Sequence, residues 1–366
     1  MKLPFAFGIN LLFRLVFPGS VLAIVLWFLF AQVAADLEPE LRTALSPIFQ
    51  PVPALGEVAS VGMLAVFLGW LITLADMPIY MLFEGRRFWP RRLRCRMRRR
   101  EHARLVRLEE AAEACWKEAQ ALRERLDADP PPEGERQAAR ALEHSEALER
   151  HLERAVQASR FPLDPKGRRY APMPTRLGNL IYEYEMYPAN KYGLDSVFFF
   201  YRLWLMVDND MREEVDAKQA VVDGATYVAF ACSLGALIGA TVLLVRLALS
   251  LPGGPLSFDP AAIALDAALV VLLLVAARLV YRLSIHGHVQ FGEIYKALFD
   301  QHWHRLDLDP TLELIEQRTG RPSPPKTEPL ERARTAWRYL RWHRVRVDGV
   351  NVNAEEVRRG PCSSSH

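Results

Sequence analysis

Met81-Leu-Phe-Glu-Gly-Arg-Arg-Phe-Trp-Pro-Arg-Arg-Leu-Arg-Cys-Arg-Met-Arg-Arg-Arg100 closes an apolar run and opens a cationic one. Nine arginines fall between Arg86 and Arg100. Lys and Arg beside a transmembrane end are retained on the cytoplasmic face. The junction therefore predicts an integral membrane protein in which everything from Glu84 onward begins inside the cell.

Working outward, a bilayer core of ~30 Å takes ~20 mostly apolar helical residues. Four stretches meet that requirement: Leu15 to Ala35, Val58 to Phe83, Thr226 to Leu249 and Ala261 to Tyr281. Lys2, the apolar block and Val33-Ala34-Ala35 also have the three parts of a secretory signal. The expectation here is that the first stretch is kept as a membrane helix. Between the first two stretches lie Asp36, Glu38, Glu40 and Glu57 against Arg42 alone, and between the last two only Asp259. Loops so poor in cations belong outside, which places both termini and the polar bulk in the cytoplasm.

The predicted fold class is an all-α integral membrane protein with four transmembrane helices, an antiparallel cytoplasmic hairpin and further cytoplasmic helices. Its divisions are 1–83, an N-terminal transmembrane pair; 84–160, the basic segment and hairpin; 161–225, a cytoplasmic or interfacial helical module; 226–283, the C-terminal transmembrane pair; and 284–366, a cytoplasmic helical region and tail. Net charge over the 366 residues is only +3, so the basic run is local and the chain is not generally nucleic-acid-like. The cysteines, Cys95, Cys115, Cys232 and Cys362, have neither metal spacing nor a framework of bridges, and all four read as reduced thiols.

Charges inside the apolar stretches mark candidate sites. At 1.5 Å per residue, Asp76 lies ~27 Å below Val58 and Arg278 ~25 Å below Ala261. The two meet near the inner boundary in this reading, joined by Arg14, as gating residues or as a cluster snorkelling to the headgroups. Asp266, near the outer end, is either a vestibule residue or part of an exposed turn. Gly62 and Gly69 on the second stretch, and Gly235 and Gly239 on the third, recur at small-residue spacing, which permits close helix packing within the chain or between subunits.

Past the basic run, Leu108, Ala112, Cys115, Ala119, Leu122 and Leu126 alternate steps of three and four, as a coiled-coil seam does. Asp127-Ala-Asp-Pro-Pro-Pro-Glu-Gly134 breaks the helix. Ala138, Ala141, Ser145, Leu148, Leu152 and Ala155 then form a second seam, predicting an antiparallel hairpin or an intersubunit bundle. Thr175 is placed to cap a helix reaching toward Tyr187. The run Val197-Phe-Phe-Phe-Tyr-Arg-Leu-Trp-Leu-Met-Val207 is too short to span and reads as an interfacial or a buried helix.

Thr175-Arg-Leu-Gly-Asn179, Glu185-Met-Tyr-Pro188, Tyr192-Gly-Leu-Asp195, Arg202-Leu203, Phe291-Gly-Glu-Ile-Tyr295 and Ala297-Leu-Phe-Asp300 together resemble a group of uncharacterised bacterial multi-spanning proteins. The resemblance covers about Thr175 to His304. Phe200-Tyr201 departs from the Trp-Pro of that pattern. It implies a bacterial origin and carries no catalytic role.

His286 and His288, like His302 and His304, are two residues apart and so point to different faces of a helix, a poor metal pair. Asp208, Asp210, Glu213, Glu214 and Asp216 read as a solvated helix face. No Walker loop, nucleophile elbow or dinucleotide loop is present, so no enzyme, cofactor or metal is expected. Arg86, Arg87, Arg91, Arg92, Arg94, Arg96, Arg98, Arg99 and Arg100 fit attraction to anionic lipid, or binding of an anionic nucleotide or nucleic-acid signal with Phe88 and Trp89 as stacking faces. The expectation is a homo-oligomeric inner-membrane protein of bacteria, an ion-conducting or membrane-permeabilising effector in defence or stress response, gated from its cytoplasmic part. The other reading is a non-conducting scaffold that recruits cytoplasmic protein partners.

Overall fold

The computed structural model describes residues 8, 11–36, 56–126, 135–159, 161, 171–249, 260–320 and 322–342, and every element among them is a helix. A π-helical segment, Leu11–Val16, leads into α1, Phe17–Asp36. There follow α2, Gly56–Leu74; α3, Asp76–Phe83; α4, Arg91–Leu126; and α5, Glu135–Ser159. After these come α6, Arg176–Tyr192; α7, Ser196–Trp204; α8, Asn209–Leu249; and α9, Pro260–His302. A 3₁₀ turn, Trp303–Arg305, then precedes α10, Asp309–Thr319, and α11, Pro329–Trp342.

The chain divides into two units, one of residues 1–80 and 208–291, the other of residues 81–207 and 292–366. In the first, the 11–29 stretch, α8 and α9 are each long and apolar enough to cross a membrane; α2 and α3 pass the same test only as a pair. The single second span expected from Val58 to Phe83 is thus corrected to two helices bent by 66°. Pro78 supplies the reason: it has no N–H to give the carbonyl of Leu74 and its ring crowds that carbonyl. The polar 209–222 stretch runs without a break into the apolar part of α8, and α9 continues past Ser284 to His302.

The core of this unit joins α1, α8 and α9 through Val25, Leu29, Cys232, Ala236, Leu273 and Ala277. Outward-facing Phe67, Trp70, Leu237, Leu244, Leu272 and Leu279 are exposed apolar side chains, the surface a hydrocarbon solvent would accept. Glycines set the helix spacing. A Cβ on Gly69 would lie 2.0 Å from the Leu15 carbonyl oxygen, one on Gly19 1.9 Å from that of Ala65. Gly235 meets Val25 and Gly239 meets Val270, so the small face of α8 packs within the chain, whereas Gly62 has open space at that position.

In the second unit α4 and α5 pair as the antiparallel hairpin. The Ser145 hydroxyl donates to the Cys115 carbonyl, residues about equally far from the connection, and Arg123 reaches Glu146 at 2.6 Å. The α4 seam lies on the less exposed face, as read from sequence. On α5 the seam shifts: Leu142 and Glu149 face inward in place of the expected Ala141 and Leu148, which are exposed. A three-four spacing starting at Ala138 is met equally by either register. Ala155 lies among residues whose side chains are not described.

Thr175 caps α6 by accepting from Gly178 N at 3.0 Å, and the buried Asn179 side chain clasps the backbone of Met173 and Thr175. Gly178 leaves room for the Glu84 carbonyl, 2.4 Å from where a Cβ would stand. The Thr-Arg-Leu-Gly-Asn run is therefore a helix start built to receive the Glu84 turn. Asp195 caps α7, which buries Phe199 and Leu203 and exposes Val197, Tyr201 and Leu205. It has both a buried and an exposed face. Leu312 and Ile315 of α10 pack on Ala336 and Tyr339 of α11. Cys115 and Cys232 are free thiols, but Cys95 is disulfide-bonded, a correction that cysteine spacing does not reveal because bridges depend on the fold.

Candidate functional site: polar clamps at the two ends of the apolar unit

The π-helical segment widens the turn that carries Arg14. Two glycines let neighbours approach it closely: Gly69 of α2, and Gly224 of α8, whose Cβ would lie 2.5 Å from the Phe13 carbonyl. Thr73 donates to the Arg14 carbonyl at 3.2 Å. The Arg14 guanidinium reaches Asp223 of α8, with Nε at 2.9 Å and Nη2 at 2.6 Å from Oδ2. The other carboxylate oxygen accepts from the Tyr80 hydroxyl of α3 at 2.5 Å. Tyr80 also lies 3.5 Å from Nε2 of His288 on α9, which is 3.4 Å from the Thr226 hydroxyl. One polar network thus ties together the π segment, α3, α8 and α9.

Burial makes it consequential. His288 is 2 % exposed and Thr226 1 %, and His288 Nδ1 has no hydrogen-bond partner. A buried imidazole with one unused nitrogen is held in a low-dielectric site, where a change of charge or hydrogen bonding is costly. Alongside, Tyr227 donates to Asp76 Oδ1 at 2.6 Å. Asp76 stands in the first turn of α3, just past the bend, where the helix dipole favours a carboxylate.

A second clamp closes the far end of α8 and α9. Arg246 forms an ion pair with Asp266, the two side chains being 4 % and 0 % exposed. Asp223 and Arg246 are separated by ~34 Å of helix rise, and Asp266 and His288 by ~33 Å. Both spacings are close to the ~30 Å of a bilayer core.

The sequence-predicted charges are regrouped. Arg14 and Asp76 both enter buried polar contacts, but with Asp223 and Tyr227 in place of Arg278. Arg278 is exposed on α9. Asp266 is neither an exposed turn nor open to solvent; it is fully buried. Asp223, Tyr80, Tyr227 and Arg246 were not singled out, and His288 was read only as half of a poor metal pair. Arg246 had a readable signal, a lone cation within the third apolar stretch; the tyrosines had none.

In the other unit, the basic run begins in a turn with Gly85 at φ 74° and Phe88 at φ 65°. Arg86 pairs with Glu84 and, at 2.8 Å, with Glu185 of α6. Burial pushes Glu84 up to about 7, opposed by Arg86 and reinforced by Glu185. Its Oε2 is within ion-pair reach of Arg86 yet lacks an aligned hydrogen bond, so the pair offsets little of the desolvation. Arg87 faces the Phe88 ring at 5.7 Å, and Trp89 donates to the Leu82 carbonyl. Trp89 is therefore engaged locally, while Phe88 stays exposed. Among the described residues no three His, Cys, Asp or Glu side chains converge to hold a metal.

Comparison with protein families, curated proteins and solved structures finds no match. The class is defined by the described residues themselves: they are helical, with three helices, or four counting the bent pair as one, suited by length and composition to crossing a membrane.

Proposed function

We propose that this protein is a four-span bacterial inner-membrane protein, both termini cytoplasmic, that acts as a regulated ion-conducting or membrane-permeabilising effector. The observation that carries the reading is the Arg14–Asp223–Tyr80–His288 network: four segments of an apolar unit held by polar contacts that alternative pairings can replace. Intramembrane ionisable groups of this kind mark pathways or switches. The broken α2–α3 pair adds a bend beside Asp76, and irregular backbone at membrane depth is tolerated where it is buried in protein or lines a cavity. A homo-oligomer would enclose the path; defence or stress response is the natural setting.

The test is ion flux into liposomes holding the full-length protein, with and without a cytoplasmic extract. Asp223→Asn and His288→Asn should alter flux at least tenfold in either direction with folding intact. Flux that is unchanged in both variants removes the network from the mechanism.

The second reading, a non-conducting scaffold, is favoured by the α4–α5 hairpin, whose outer face exposes Trp116 and Leu148. Capture of a defined cytoplasmic protein, lost on deleting residues 105–155, together with silent liposomes, would support it.

A further inference from the structure

The start of α4 holds guanidinium groups that the described protein does not neutralise. The ion pairs of this region go elsewhere: Arg86 takes Glu84 and Glu185, and Arg104 takes Glu101. Arg94 and Arg98 stand one turn apart on one face of the helix, both half-buried. Neither meets a carboxylate among the described residues. Arg94 Nη1 makes a long contact, 3.4 Å, to the Arg86 carbonyl. The Nε of both is buried without a hydrogen-bond partner, which leaves the η nitrogens as the accessible donors.

Burial, and after it the charge of Arg94, holds the Arg98 guanidinium below its ordinary range. Two like charges brought together and partly dried out cost free energy, and no acidic residue stands in the first turn of α4 to offset it. The exposed Arg92, Arg99 and Arg100 are solvated cations and carry no such conflict. Among the described residues the pair meets no anion.

We propose that Arg94 and Arg98 form a binding site for one phosphate group. Each guanidinium presents a planar fork of donors that matches two phosphate oxygens, so two forks a helical turn apart can share a single phosphate, whose several oxygens serve both. A carboxylate has oxygens for only one such fork. A lipid headgroup and a free phosphate offer the same chemistry. The site goes beyond the conduction reading and stands whether or not the protein conducts.

The experiment uses the full-length protein in nanodiscs and compares R94Q/R98Q with R92Q/R99Q, which removes the same charge from exposed positions. In one arm, inorganic phosphate is titrated against thermal unfolding and calorimetry at constant ionic strength in phosphatidylcholine discs. In the other, discs containing phosphatidylglycerol are compared with phosphatidylcholine discs, and bound lipid is counted by native mass spectrometry. Wild type and R92Q/R99Q should respond in at least one arm, and R94Q/R98Q should lose at least tenfold in affinity or all retained lipid. Saturation by inorganic phosphate identifies a free-phosphate site; a response to phosphatidylglycerol alone identifies a headgroup site. Should R94Q/R98Q fail to fold, R94K/R98K decides: it keeps charge and stems but loses the forks, and should lose the response as well. Equal responses in the two double variants, full retention by R94K/R98K in that event, or silence of the wild type in both arms overturns the proposal.

Discussion

Asp223 and Arg246 lie ~34 Å apart along α8, and each is paired to a different neighbour: Asp223 to Arg14 before α1, and Arg246 to Asp266 on α9. The helix between them is small and apolar on the packed side, with Ala229, Ala231, Cys232 and Ala236 buried. The two pairs therefore bracket an apolar slab about as thick as a bilayer core. They also oppose sliding of α8 along its own axis, because a shift breaks a buried contact at both ends.

Removing one partner and replacing both should have opposite consequences. Asp266→Asn removes the carboxylate buried against Arg246, a loss of roughly 3–5 kcal/mol, whereas Arg246→Met with Asp266→Leu removes both charges and should be neutral or stabilising. Asp223→Asn should cost less, because the Arg14 side chain is 27 % exposed and water screens it. Denaturant unfolding in detergent, followed by tryptophan fluorescence, measures all three. If the single and double changes at the Arg246–Asp266 pair were equally damaging, the pair would not be the source of the cost.

Gly62 and Gly69 of α2 should behave in opposite ways. Gly69→Ala drives a methyl into the Leu15 carbonyl, and the backbone must part, at a cost of about 1–3 kcal/mol. Gly62→Ala adds its methyl in open space and should gain up to ~1 kcal/mol from helix propensity. Thermal melting of the two variants gives the comparison. Equal melting temperatures would mean that the close approach of α2 to the π segment does not stabilise the bundle.

Glu84 makes one part of the stability depend on pH. Its folded value is raised from 4.5 to about 7, so its contribution is complete below about 4.5 and is lost as the pH rises through 7. A shift of that size corresponds to roughly 3 kcal/mol. Wild type should melt lower at pH 8 than at pH 5, and Glu84→Gln should flatten that difference. Glu185→Gln should reduce it in part, since Glu185 adds to the shift. A pH profile untouched by Glu84→Gln would place the titration elsewhere.

The apolar blocks and the α4 seam were legible because each is a local pattern, read from residues within a turn or two of one another; the breaker expected at 127–134 lies outside the described residues. The Thr175 cap was legible for the same reason. The bend at Ala75 was not, although Pro78 was in view: a proline in an apolar run is compatible with a kinked span or a broken one. Partner choice was the larger gap. Asp76, Arg14 and Asp266 were found as intramembrane charges, but depth along a helix fixes only one coordinate. Which residue faces them depends on helix rotation and close approach, set here by Gly69, Gly224 and Gly287, and these glycines carry no charge to advertise the contact. Tyr80 and Tyr227 resemble any interfacial tyrosine until a carboxylate is placed opposite them.

The hairpin gives the sharpest contrast between pattern and rotation. Leu142 faces α4 while Leu148, equally apolar and on the same helix, is 42 % exposed. Leu142→Ala should therefore destabilise the pair, by about 1–3 kcal/mol for a partly buried leucine, and Leu148→Ala by less than about 0.5 kcal/mol. Ser145 adds a third reading: its hydroxyl is buried against the Cys115 carbonyl, so Ser145→Leu must push the helices apart, whereas Ser145→Ala loses one hydrogen bond worth about 1 kcal/mol. Hydrogen exchange at the amides of α4 and α5, compared across the four variants, resolves where protection is lost. Loss at Leu148→Ala equal to that at Leu142→Ala would restore the register in which Ala141, Ser145 and Leu148 form the seam.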